Sequence, residues 1–125
     1  MRSRGVSEMA KKGVFPIREL LRKTSTGAAA EIIDFGPVED GWTYVIQLVL
    51  ARNLTSDWTA LEVGMLARGS FYPLEGQRDL EANEYYWLDE EIHLQEGESL
   101  RVRFLGTTAG DELEVTIYGY KERVR

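Results

Sequence analysis

The residue types that could carry chemistry are few and scattered. His93 is the only histidine, and it follows Glu90, Glu91 and Ile92. A zinc site draws on several His, Cys or carboxylate ligands. A cupin-like site would want a second histidine nearby, and the chain has none. His93 therefore reads as a half-exposed surface side chain, facing away from Ile92 and Leu94. Cysteine is absent, which removes disulfides, thiolate metal sites and cysteine nucleophiles.

Carboxylates are abundant, with one cluster at Asp89, Glu90 and Glu91 and another at Asp111, Glu112 and Glu114. A pair roughly 5–10 Å apart could hydrolyse a glycoside, but a small acidic domain produces such pairs by chance. A calcium site at 89–91 would lack the spaced oxygen pattern of an EF-hand loop. A solvated acidic face is the simpler reading. Gly106 and Gly110 bracket a loop between two strands rather than a helix entrance, so they form a turn and not a phosphate cradle. Nucleophile elbows, Walker loops and dinucleotide fingerprints are missing. The expectation is a non-enzyme with no cofactor and no metal. Trp42, Trp58, Tyr85, Tyr86 and Trp87 could stack on a sugar or a base, but core packing and a subunit contact explain them more simply.

Charge is the more informative signal. Residues 1–24 hold seven basic and two acidic residues, a net +5. The whole chain is −6, so the remainder carries −11. An acidic β region opposes nucleic-acid binding. The basic arm could touch nucleic acid, lie on an acidic protein surface or merely solubilise. The second reading is preferred, because one sequence supplies both charges and an arm that orders on contact can lace subunits together. The residues assigned to partner binding are Arg2, Arg4, Lys11, Lys12, Phe15, Arg18, Leu21, Arg22 and Lys23.

The elements that must position these groups follow from hydrophobic period. Residues 1–27 are expected to be a basic N-terminal arm containing a short helix, and residues 28–125 a β-sandwich domain. Within 15–23, Ile17, Leu20 and Leu21 fall at i, i+3 and i+4, and Pro16 suits a first helical position. Beyond Gly27 the period becomes two. Strands are expected over 29–35, 42–52, 60–66, 78–87 and 91–95. In the second, Trp42, Tyr44, Ile46, Leu48 and Leu50 share one face, and Val45, Val49 and Ala51 the other. Gly69-Ser70 and Pro73 break the chain. Leu100, Val102 and Phe104 alternate with arginines, and Leu113, Val115 and Ile117 alternate with polar residues. A hairpin pairing Phe104 with Leu113 would set Arg103 opposite Glu114. Seven or eight short strands point to an all-β antiparallel sandwich or jelly-roll. No apolar stretch reaches the roughly 20 residues of a membrane span, and no secretory signal is read at the N-terminus. Asn53-Leu54-Thr55 matches a glycosylation sequon and is taken as chance.

The run Gly41-Trp42-Thr43-Tyr44-Val45-Ile46 resembles the opening of small β-sandwich virion proteins of tailed bacteriophages. The stretch from Ile92 to Val102, then Gly110-Asp111-Glu112-Leu113 and Tyr118-Gly119-Tyr120-Lys121-Glu122, is similar to their closing strands. The resemblance covers residues 29–122 and rests on turn grammar. It implies a capsid decoration protein, or a minor head or tail structural protein, made in the host cytoplasm and carried in the virion. It implies a homo-oligomer, a trimer by preference, with the major capsid or another virion protein as partner. A glycan- or receptor-binding module is the alternative, resting on the aromatics at 85–87. A carbohydrate-active or metal enzyme of cupin type is the third.

Overall fold

The computed structural model describes residues 13–124, which form nine strands in two antiparallel sheets. The strands are β1 (Val14–Thr24), β2 (Ala30–Phe35), β3 (Trp42–Asn53), β4 (Trp58–Ala67), β5 (Ser70–Leu80), β6 (Tyr86–Leu88), β7 (Ile92–Leu94), β8 (Ser99–Leu105) and β9 (Glu112–Arg123). One sheet runs β1-β9-β3-β6, with β7 also on β3, and the other runs β2-β8-β4-β5. No helix is present among the described residues.

The core lies between the sheets. Ile46, Leu94, Leu113, Val115 and Ile117 face Leu100, Val102 and Phe104, all fully buried. The Phe104 ring stacks on Trp58 with centroids 4.9 Å apart. Trp58 meets Tyr86 edge-on at 6.2 Å. Strand-period alternation buries one face of β7 and β8 as expected, whereas in β5 only Leu80 is buried.

The helix expected over 15–23 is instead strand β1, paired along its length with β9. The helical spacing of Ile17, Leu20 and Leu21 was coincidental. In the strand, Ile17 is buried and Leu21 packs on the core, while Leu20 points outward with 56% exposure. About nine residues cannot hold a helix unaided, whereas the open edge of β9 offers a full ladder.

The expected hairpin of 99–118 also changes. β8 pairs with β2 and β4, and β9 with β1 and β3, so the two strands belong to different sheets. Phe104 and Leu113 do share an interior, but they look at each other across the sandwich. Alternation alone cannot separate these arrangements, because facing residues are apolar in both. The loop is shaped for this crossing: Gly106 has φ +73°, and a Cβ there would run into the Thr59 side chain. Arg103 therefore pairs with Glu62 at 2.8 Å and not with Glu114.

Two breaks in period were not foreseen. The register between β3 and β9 shifts between Ile46 and Leu48, which makes Gln47 a bulge. Tyr44 and Ile46 face inward before it, and Val49 and Ala51 after it, so the single face expected from Trp42 to Leu50 is split. Gly119 lies opposite, where a Cβ would meet the Val45 carbonyl. The chain is also not broken at 69–73. Arg68 and Gly69, with φ of 53° and 78°, make a two-residue turn. β5 then runs through Pro73 with a second bulge, as an edge strand permits.

Candidate interaction surface

Registers define what each outer face presents. On the β2-β8-β4 face, Asp34 lies opposite Arg101, and Arg103 opposite Glu62. Both pairs close as salt bridges at 2.8 Å. That face is finished by its own charges. On the other sheet, one row runs Leu20, Thr116, Leu50 and Trp87 across β1, β9, β3 and β6. Leu20 and Trp87 at its two ends are 56% and 58% exposed. The next row is Arg22, Glu114 and Arg52. Glu114 is buried between the two guanidinium groups, each 2.8 Å away. The Arg52 guanidinium also lies 4.3 Å from the centre of the exposed Tyr85 ring.

The lateral edges differ from each other. β1 forms one edge, with Arg18, Leu20 and Arg22 on its outer face. Behind it an open cleft of about 420 Å³ is lined by Ile17, Glu19, Phe35, Tyr44 and Lys121, among others. Burial raises the Tyr44 hydroxyl above its ordinary range, assisted by its hydrogen bond to Glu39. β5 and β6 form the opposite edge. The groove between them has an apolar floor of Val49, Ala51, Leu61, Val63 and Leu88 and holds about 10 Å³. That is room for one water at most, so the groove cannot admit a small ligand. Tyr72, Leu74, Tyr85 and Trp87 along this edge are 44–58% exposed.

The arm residues fall into four groups. Arg2, Arg4, Lys11 and Lys12 lie outside the described residues. Arg22 holds Glu114, and Lys23 holds Glu31 at 3.1 Å. Phe15 stacks at a tilt on Trp42 at 5.6 Å, and Leu21 is half-buried. Arg18 is exposed. Leu20, Leu50 and Arg52 were missed by sequence reasoning, because only the β1-β9-β3 register brings them together.

The remaining polar chemistry is structural. Glu31 is buried and accepts hydrogen bonds from the Thr26 hydroxyl and from the backbone N–H groups of Thr26 and Ala28. Burial alone would raise its pKa, but these donors and Lys23 outweigh it and hold the carboxyl at about 2. Asp111 is likewise buried. It accepts from Asn53 Nδ2, Ser56 Oγ and the Thr108 N–H at 2.7–2.8 Å. Burial pushes its pKa up, and these donors bring it below the ordinary value. Asn53 of the apparent sequon is fully buried in this network, which leaves no room for a glycan. His93 is exposed, with Nε2 3.1 Å from Glu91 Oε1. Among the described residues no group of three or more His, Asp or Glu side chains could hold a metal ion.

No protein-family model matches the sequence, and no curated protein matches it. Solved structures do. The chain is similar to a structure described as "Bacillus endospore appendages form a novel family of disulfide-linked pili", at 12% identity, 91% coverage of both chains and a TM-score of 0.55. It is also similar to the Drosophila NLP core, described for pentamer formation and histone binding, at 15% identity over 86% of this chain and 99% of that one, TM-score 0.44. A third is the virus-like particle of the Macrobrachium rosenbergii extra small virus, at 10% identity over 87% and 79%, TM-score 0.46. The first likeness supports the β-sandwich scaffold. It does not extend to disulfide linkage, because this chain has no cysteine.

Proposed function

We propose that this chain is a non-catalytic subunit of a multi-copy assembly and, in its specific form, a virion decoration protein. Its N-terminal segment and β1 edge engage neighbouring subunits, a trimer being the preferred state and the major capsid protein the underlying partner. The observation that carries this is the contrast between the outer faces. One is closed by paired charges, whereas the other leaves Leu20 and Trp87 in solvent at opposite ends of one row. Exposed apolar side chains gathered at the edges of a small domain mark surfaces that another protein covers. The polar groups support the reading too, since the buried carboxylates Glu31 and Asp111 are consumed by structural hydrogen bonds.

The test removes residues 1–12 and measures molar mass and particle binding. Removing 1–24 would delete strand β1 and confound assembly with folding. The shortened protein should keep its melting temperature and lose assembly or particle binding. Assembly unchanged after the deletion would refute the arm's role.

A second reading follows from Tyr85 and Trp87. Both rings are exposed, and Arg52 braces Tyr85. Adjacent exposed rings can stack on sugar faces, so a glycan-binding role is kept. Saturable quenching of Trp87 fluorescence by an oligosaccharide would favour it, and a glycan array without hits would oppose it.

A further inference from the structure

The geometry points to head-to-tail association, in which the β1 edge of one copy seats on the β5–β6 edge of a second copy of this chain. This rests on the assembly reading and names its two surfaces.

Three observations converge. First, sheet order puts the two edges on opposite sides of the sandwich. β1 ends one sheet, while β5 ends the other beside β6, across a shared groove. A contact between unlike edges is heterologous, so it propagates into a ring or a filament. Second, the edges carry opposite charge. Strand β1 holds Arg18, Arg22 and Lys23 against Glu19, a net +2, with Arg22 and Lys23 already meeting Glu114 and Glu31. Residues 70–91, which form β5, β6 and their connections, hold seven acidic side chains and the single base Arg78, a net −6. The seven are Glu75, Asp79, Glu81, Glu84, Asp89, Glu90 and Glu91, and all are exposed. Among the described residues none of them pairs with a lysine or arginine. Glu91 meets only His93. Third, the exposed apolar side chains gather at the same two places. Of the six large hydrophobics exposed among the described residues, Leu20 stands on β1, and Tyr72, Leu74, Tyr85 and Trp87 stand on the β5–β6 edge. The sixth, Val124, ends the described chain.

The contact is made by side chains rather than by extending the sheet. Pro73 lacks an N–H, the bulge beside it kinks the strand, and Asp79 has φ 58°. These features blunt β5 as a ladder template. Apolar groups at the centre with charges of opposite sign around them are the usual anatomy of a specific interface. The complementary charge steers the encounter and rejects the like-edge pairing of β1 with β1.

The experiment uses the full chain and two sets of exposed substitutions, followed by light scattering. Arg18→Glu changes the basic edge without touching the Glu114 or Glu31 ion pairs. Glu81→Lys with Glu84→Lys changes the acidic edge. Circular dichroism checks that each variant folds. Each variant alone should associate about tenfold or more weakly than the native chain. An equimolar mixture of the two should recover pairwise association, because the unaltered β1 edge of one variant still meets the unaltered β5–β6 edge of the other. A native chain that multimerises while both variants keep its mass would overturn the edge pairing and leave the assembly reading intact. A native chain that is monomeric at every concentration would overturn both.

Discussion

Glu31 and Asp111, where the β1–β2, β3–β4 and β8–β9 turns meet, are buried and accept hydrogen bonds from several donors. The seven carboxylates of residues 70–91 stand in solvent with no lysine or arginine beside them among the described residues. The same side-chain chemistry has opposite fates within one small domain. At the turns, carboxylates replace lost hydration with backbone and hydroxyl donors, which ties three loops together and leaves nothing to offer a partner. At the β5–β6 edge they stay hydrated and free to meet a basic surface. Hydrogen-bond saturation, rather than acidity, separates the structural carboxylates from the available ones.

The largest effect that would sharpen this contrast comes from Asp111→Ala. It strands Asn53 Nδ2, Ser56 Oγ and the Thr108 N–H, and should cost about 3 kcal/mol. Denaturant unfolding should show the loss, and molar mass under native conditions should not change. Glu31→Gln comes next, at about 2 kcal/mol near neutral pH. Because folding lowers the Glu31 pKa from 4.5 to about 2, its contribution is complete above pH 4.5 and disappears as pH falls towards 2. Melting temperatures across that window should fall less steeply in the glutamine variant than in the native chain.

The opposite region should respond in the opposite way. Leu20→Ser together with Trp87→Ser should alter stability by less than about 0.5 kcal/mol for each site. The same protein should dissociate at concentrations where the native chain is assembled, as read by sedimentation. The smallest effect is expected from Arg101→Ala on the closed face. The Asp34–Arg101 pair is partly exposed, so its loss should cost less than about 1 kcal/mol and leave association untouched. An assembly defect in that variant would break the comparison, because the closed face would then be an interface.

Strand period made most of the sandwich legible, including the inward sets of β8 and β9. What it could not give was pairing. Leu100–Phe104 and Leu113–Ile117 have the same alternation whether they share a sheet or oppose one another, so the Arg103–Glu114 pair was wrongly drawn. Glu114 instead meets Arg22 and Arg52, which lie 92 and 62 residues away in sequence. The Gln47 bulge reverses facing in mid-strand, and no residue type announces it. β1 misled for a different reason. Ile17, Leu20 and Leu21 satisfy a helical stripe, and only the available β9 edge decides for a strand. The candidate surface inherited these gaps. The charge split was visible in the sequence, but that β1 and residues 70–91 lie at opposite edges needed the sheet order.

The most direct test of the central claim is the molar mass of the full native chain by light scattering, taken across concentration at low and high salt. The account predicts a multimer at low salt whose mass falls as salt screens the complementary edges. A monomer at every concentration and salt would contradict it.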